Sequence, residues 1–297
     1  MRGRIDDAWP EAPGRRYLKA EGEILTCQAR PLDDCAVQVR AVVTDEASVP
    51  PPRRLEGVLH DREMLTHDVV RFLVDLDEPL DFAPGQFALL GVPGIAGARA
   101  YSMVNWERGA RRLTFVVKKK PGGLLSEWLF GDGAVDGARV PLLAPLGHAV
   151  FEPHVGKHVL CIAGGSGIAG MMAILTRACD ARYFDDHHGE VFFGVRTERD
   201  AFFLDELAAF RARSAERLAI TVAFSDEDVS AAFVARYPSL AFGRGFVHEV
   251  AATGMKGRYA NVRAYAAGPP PMVDGVLRVL LREARLHPSD IRYDKFS

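Results

Sequence analysis

The sequence predicts two folded units in series, an antiparallel β-barrel followed by an α/β doubly wound parallel sheet. Three observations predict it. Between residues 53 and 152, short strand-like apolar runs alternate with Pro-Gly and Gly-rich turns. From residue 156 the rhythm changes to strand, helix, strand. At 158–170 an apolar run closes on Gly164-Gly165-Ser166-Gly167 and gives way to an apolar, helix-prone segment from Met171 to Cys179.

The 297 residues suffice for about two domains. In the first, candidate strands are Leu55–Leu59, Val69–Leu76, Gln86–Val92, Ala100–Val104, Leu113–Lys118 and Arg139–Ala144. Ala83-Pro84-Gly85, Pro93-Gly94 and Pro121-Gly122-Gly123 separate them. Regularly spaced short strands with such turns indicate an antiparallel barrel or sandwich. One helix interrupts, Leu124 to Phe130. Upstream, Val49-Pro50-Pro51-Pro52 has the composition of a stiff linker. The expected domains are 1–52, 53–153 and 154–297.

In the second unit, strands are expected at Val159–Ala163, Val191–Val195, Ile220–Phe224 and Val262–Ala266. Helical patterns lie at Met171–Cys179, Phe203–Arg213 and Phe246–Ala251. A basic amphipathic helix over 271–285 precedes a last strand, Ile291–Phe296. Such alternation builds an open parallel sheet covered on both faces. Ligands of these sheets bind beyond the carboxyl ends of the strands, where Gly164–Gly167 and Gly268-Pro269-Pro270-Pro271 fall. A helix N-terminus behind a glycine turn suits a pyrophosphate. The spacing is not G-x-G-x-x-G, however, and glycine turns between strand and helix also occur without a ligand.

Residues 1–44 are turn-rich, with a strand-like alternation at Ala36–Arg40. Net charge is −2, which gives no electrostatic footprint for nucleic acid or an anionic membrane. No run approaches the ~18 apolar residues of a membrane span. The polar N-terminus lacks a signal-peptide core, and with only Cys27, Cys35, Cys161 and Cys179 in the chain a reducing cytoplasm is expected. The histidines show no metal-binding spacing, and no metal site is expected.

Three further stretches align with the glycine loop: Arg99-Ala100-Tyr101-Ser102, Gly123-Leu124-Leu125-Ser126 and Gly268-Pro269-Pro270-Pro271-Met272. Together they resemble, in order, the Arg-x-Tyr-Ser flavin motif, the Gly-x-x-Ser pyrophosphate motif, the Gly-Gly-[Ser/Thr]-Gly nucleotide loop and the Cys-Gly-Pro-Pro nicotinamide motif of the ferredoxin–NADP reductase superfamily. The resemblance covers 53–297 and is nearest to reductase components of bacterial multicomponent aromatic oxygenases. It implies FAD held by Arg99, Ala100, Tyr101, Ser102, Val117, Lys118 and Gly123 to Ser126, with the Ser126 hydroxyl facing the pyrophosphate. It implies a nicotinamide nucleotide on Gly164, Gly165, Ser166, Gly167, Ile168, Gly268, Pro269, Pro270 and Met272. Arg99 would pair with flavin phosphate, Tyr101 lie on the isoalloxazine, and Ser102 bond flavin N5. Ser102, Ala267 and Phe296 would flank the reacting atoms. Phe296 also reads as a packed edge aromatic. Two departures stand out: Ala267 replaces the family cysteine and Gly170 a frequent proline.

The resemblance also makes Leu25-Thr26-Cys27-Gln28-Ala29-Arg30-Pro31 similar to the end of a plant-type [2Fe–2S] ferredoxin domain. Cys27 then stands as an orphan fourth ligand in a short ferredoxin remnant. A cluster needs four ligands, so [2Fe–2S] is not expected in this chain, and the remnant is expected to pack loosely. Asp226-Glu227-Asp228 after Ser225 would repel a 2′-phosphate and favours NADH, although Arg196 would accept one and the acidic run also reads as a solvated turn. The implied function is a flavin-dependent NADH oxidoreductase, passing electrons through FAD to a ferredoxin or iron–sulfur oxygenase partner in aromatic hydroxylation, with the chain monomeric. The alternatives are an NAD(P)H:flavin or quinone reductase and a non-catalytic nucleotide-binding subunit.

Overall fold

The structure, a computed structural model, describes residues 3–7, 9–39, 50–131, 136–214 and 216–296. A two-stranded ladder pairs β1 (Ile5–Asp7) with β2 (Ala29–Pro31) antiparallel. Six antiparallel strands follow: β3 (Arg53–Met64), β4 (Val69–Leu80), β5 (Phe87–Val92), β6 (Ile95–Ser102), β7 (Ala110–Lys118) and β8 (Arg139–Leu146). Their order is β6-β5-β8-β3-β4-β7, and the end strands β6 and β7 pack together, so the sheet curls toward a barrel. Helix α1 (Leu124–Phe130) caps it. Gly85, at φ 100°, makes the Pro-Gly turn ahead of β5, a backbone state that glycine adopts without strain. The barrel fills with Leu59, Phe72, Leu90, Met103, Leu113, Phe115 and their neighbours, all fully buried.

The second domain is a parallel sheet of β9 (His158–Gly164), β10 (Gly189–Val195), β11 (Leu218–Phe224), β12 (Ala241–Arg244), β13 (Val262–Gly268) and β14 (Ile291–Lys295). Its order is β12-β11-β10-β9-β13-β14. The period of two divides each strand between two cores. Cys161, Ala163 and Phe193 face one side with Met171, Ile174 and Leu207, from α2 (Ile168–Asp180) and α3 (Leu204–Ala212). Leu160, Ile162 and Phe192 face the other with Ala251 and Val276. These come from α5 (Val247–Gly254) and α6 (Pro270–Arg278), α4 being the short Ala231–Arg236. A π-helical turn, Val279–Glu283, continues α6 over the expected helical stretch.

Most of the expected strands and helices appear at the expected places. Three differences are physical. Strand β12 and helix α4 carry no long periodic run; α4 is fixed by its Ser230 cap, whose hydroxyl oxygen accepts from the Phe233 amide at 3.2 Å. The strand expected at Ala36–Arg40 reduces to a single bridge at Ala36, with 37–39 outside any ladder and Arg40 outside the described residues, as is Val49 of the linker. The N-terminal segment is also less loose than expected. It pairs its two strands, buries Ala12, and seats Gln28 on the barrel, where its Nε2 donates to the Ala98 carbonyl at 3.3 Å.

The domains share an apolar cluster. Val69, Val104 and Val116 of the barrel pack in the same group as Ile168, Met171 and Val195. At the junction Arg263 donates to Glu152 at 2.6 Å, anchoring the end of the barrel to β13. Phe72 is fully buried and stacks on Phe115 with ring centroids 5.6 Å apart. Phe72→Ala is expected to cost about 3–5 kcal/mol of stability through lost burial and the cavity left behind. Urea unfolding checks this; a loss below about 1 kcal/mol would mean the barrel collapses around the gap.

Candidate active site

The site forms where the order of the parallel sheet reverses. Strand β9 sends its chain to one face through α2, and neighbouring β13 sends its chain to the other through α6. Their carboxyl ends, Gly164 and Gly268, lie side by side. A methyl on Gly167 would stand 2.1 Å from the Ala267 carbonyl oxygen, and one on Gly268 would stand 3.0 Å from the Gly164 oxygen. Only glycine permits this approach. Gly165, by contrast, is at φ 53° with open space where a side chain would go, and Ser166 beside it is half-exposed. Ile168 is buried at the start of α2 and faces the core. Met272 fills the gap between the glycines: its Cε lies 3.0 Å from a methyl position on Gly164. Pro269 caps α6 and Pro270 opens it, where a missing N–H costs nothing.

The barrel brings its own residues to this place. Ser102, at the end of β6, is buried and faces Gly170, whose methyl position is 3.6 Å from the Ser102 Oγ. A proline ring at 170 would crowd that hydroxyl. Ser102, Gly170, Ala267 and Asp294 line one cleft between the domains. Asp294 pairs in register with Ala267, and burial pushes its carboxyl above the ordinary range. Phe296 is half-buried against the core, and its amide donates to the Gly268 carbonyl at 3.0 Å, which holds the last aromatic beside the end of β13. The sequence pattern does not single out Asp294; the available sign was an acid inside an otherwise pairing strand, two residues before the terminal aromatic.

On β6, Tyr101 packs half-buried against the barrel core, and burial pushes its phenol up to about 12. Ala100 is exposed beside it. The Arg99 Nη1 donates to the carbonyls of Ala96 (2.6 Å) and Gly97 (2.9 Å), and the guanidinium lies 3.8 Å from the Trp9 ring centroid. Helix α1 packs against β6. Gly122, at φ 72°, opens the loop before it with free space around its methyl position. Leu124 is exposed and Leu125 buried.

Three of the expected flavin residues have side-chain partners within the protein. Ser126 does not offer its hydroxyl outward: it is buried, its oxygen accepts from the Lys120 amide at 3.1 Å, and it lies 2.8 Å from the Gly123 carbonyl, so it shapes the loop. Val117 turns its side chain into the barrel core. Lys118 pairs with Asp68 at 3.0 Å and holds that carboxyl below its usual range against the opposing effect of burial.

At the far side of the sheet's carboxyl edge, the Asp226 amide donates to the Arg196 carbonyl at 3.0 Å, which joins the two candidate ribose residues. Both side chains are exposed, and the Ser225 hydroxyl donates to Asp226 at 2.5 Å. Glu227 accepts from the Glu198 amide and Asp228 lies 3.5 Å from Arg244. Among the described residues one set of metal-type side chains converges, His67, Asp68 and Asp200, with His67 Nε2 at 3.8 Å from each carboxylate. Lys118 already neutralises Asp68, and the set ties the barrel to the second domain.

The geometry fits both nucleotides. Open glycine positions at Gly165 and Gly122 leave room for phosphates against bare backbone, and the cleft joins the two domains at Ser102 and Ala267. Residues 56–151 match the oxidoreductase FAD-binding domain family and residues 161–278 the oxidoreductase NAD-binding domain family. The chain is 33% identical over 296 residues to the alkene monooxygenase system ferredoxin–NAD(+) reductase component of Xanthobacter autotrophicus, covering 99% of this chain and 86% of the relative. It is 31% identical to the ferredoxin–NAD(P)(+) reductase CarAd of Metapseudomonas resinovorans, over 100% of this chain and 85% of that one. Among solved structures, the ferredoxin reductase in carbazole 1,9a-dioxygenase superposes with a TM-score of 0.80 at 30% identity, covering 100% of this chain and 84% of the other. With a flavin-type barrel, a nicotinamide-type sheet and these likenesses over its whole length, the chain belongs to the ferredoxin reductase family of FAD- and NAD-binding oxidoreductases.

Proposed function

We propose that the chain is the NADH-oxidising reductase of an oxygenase system, delivering electrons to a ferredoxin or oxygenase component. The observation that carries this is the single cleft in which Ser102 of the barrel meets Gly170 and Ala267 of the second domain. A flavin seated on the barrel and a nicotinamide seated on the sheet would meet there and nowhere else. When bound, the two cofactors supply the redox chemistry: a flavin takes a hydride from a nicotinamide and releases electrons singly. The protein supplies position. Arg99 offers its unused guanidinium edge to the flavin phosphate, which it matches as a bidentate fork. Tyr101 backs the ring system, and Ser102 bonds its reactive nitrogen. Gly164, Gly165 and Gly167 let the nicotinamide nucleotide approach the backbone, and Gly268 with Ala267 let its ring reach the cleft. Phe296 covers the cleft until the nicotinamide enters.

Exposed Asp226 opposes a 2′-phosphate, which supports NADH as the donor. The names of the relatives, reductase components of oxygenase systems, support the choice of partner. A [2Fe–2S] cluster is not part of this chain's own chemistry. A plant-type cluster requires four thiolates, and of its four cysteines Cys161 and Cys179 are buried in the second domain, the Cys161 thiol pushed up to about 12. Four free thiols suit the cytoplasm, and the protein acts there as a monomer.

The purified protein is expected to bind one FAD, to reduce ferricyanide with NADH, and to contain no stoichiometric iron or acid-labile sulfide. Colourless protein that takes up no added FAD would end this reading, and stoichiometric iron and sulfide would end its cluster-free part. Asp226→Arg is expected to raise the NADPH to NADH ratio of kcat/KM by about tenfold, on the order of 1.4 kcal/mol. An unchanged ratio would put Asp226 away from the ribose.

Asp294 yields a prediction on pH. Its folded-state pKa lies above the ordinary 3.8 because burial disfavours the charged carboxylate. The folded chain thus keeps this proton longer than the unfolded chain. The stabilising contribution is present below the unfolded value and is lost as pH rises through the folded one. Asp294→Asn removes the loss, so its thermal midpoint should gain on the parent's as pH rises above the ordinary carboxylate range. A constant difference across that rise would mean that the carboxylate is solvated.

A further inference from the structure

The N-terminal segment reaches the barrel at the one residue that the proposed function assigns to the flavin phosphate. Trp9 lies flat over Arg99, the guanidinium carbon 3.8 Å from the ring centroid. The same indole fills the space above Gly97: a methyl there would stand 2.6 Å from its Cε3. Trp9 is itself held. Its amide donates to the Asp7 carboxylate at 3.3 Å, Asp7 pairs with Arg15, and Asp7 sits in the β1–β2 ladder. Gln28, buried, bonds the Ala98 carbonyl one residue from Arg99.

We infer that Trp9 is a positioning residue of the flavin phosphate site, acting through Arg99. A guanidinium is planar, and its donors all point outward in that plane. Contact with an aromatic face occupies the flat side and leaves the edges open. In this protein Nη1 is spent on the Ala96 and Gly97 carbonyls, and the indole closes one flat side. The rest of the fork is held in place by these contacts. A long arginine on an edge strand otherwise gives up rotamer freedom on binding phosphate. Here the indole and two carbonyls impose that order beforehand. Partial burial also weakens the cation's hold on its proton, the cost of withdrawing it from water. Gly97 belongs to the same device, since any side chain there would push the indole away. The N-terminal segment is then a component of the flavin site and more than an appendage to it.

This rests on Arg99 binding phosphate, and the test separates the two ideas. FAD affinity is measured by titrating apoprotein and following flavin fluorescence, for Trp9→Ala, Trp9→Phe, Arg99→Ala and the Trp9→Ala/Arg99→Ala pair. Trp9→Ala is expected to weaken FAD binding about tenfold, and Trp9→Phe to recover most of the loss. Arg99→Ala should weaken binding further, and adding Trp9→Ala to it should change nothing more, the mark of two residues acting as one unit. Unchanged affinity in Arg99→Ala refutes the phosphate role itself. Loss in Arg99→Ala with none in Trp9→Ala, or an equal Trp9→Ala loss in both backgrounds, overturns the role of Trp9 alone. Tighter binding in Trp9→Ala also overturns it, because the indole would then be competing with the flavin. Thermal midpoints of the apoproteins identify any variant whose loss is one of folding.

Discussion

The ends of β9 and β13 touch through bare backbone, and the rest of the site depends on that contact. Adjacent parallel strands lie about 4.8 Å apart, so a side chain at Gly167 or Gly268 would have to be accommodated between them. At Gly167 the space is already taken by the Ala267 carbonyl. Widening the gap would move α2, and Gly170 on α2 is what faces Ser102 across the cleft. The spacing between barrel and sheet at the cleft therefore depends on these glycines. Ala267 takes part in this contact through its carbonyl, whatever its side chain.

Charge is distributed with similar restraint. The acidic run after β11 is not uniformly free: Glu227 and Asp228 have partners in the Glu198 amide and Arg244, which leaves Asp226 as the member nearest Arg196. At the cleft the Asp294 carboxyl is displaced upward by burial. It lines the same cleft as Ser102, and burial there disfavours its charged form.

Much of this was legible in the sequence because periodicity and turn residues are local properties. The Pro-Gly turns bounded the barrel strands, and the apolar runs of β9, β10, β11 and β13 marked the sheet. The four motifs indicated which strand ends converge. What escaped depends on distance. Trp9 looked like part of a turn, since nothing in its neighbours tells of a partner on β6. Ser126 was expected to face outward because its motif position is visible and its bonds to Lys120 and Gly123 are not. Asp294 was hidden by lying in a strand whose register against Ala267 decides its surroundings. Short elements with no apolar period, β12 and α4, escaped for the same reason as most edge structure: their sequence meets no strong demand.

The apolar cluster that Val69, Val104 and Val116 share with Ile168 and Met171 bears on how such proteins evolve. Domains joined by polar seams are exchangeable between architectures, because separation exposes little oil. This seam is part of the core, so cutting the chain near residue 153 would bare an apolar face on each half. A rearrangement that parts the barrel from the sheet therefore costs apolar burial on both halves.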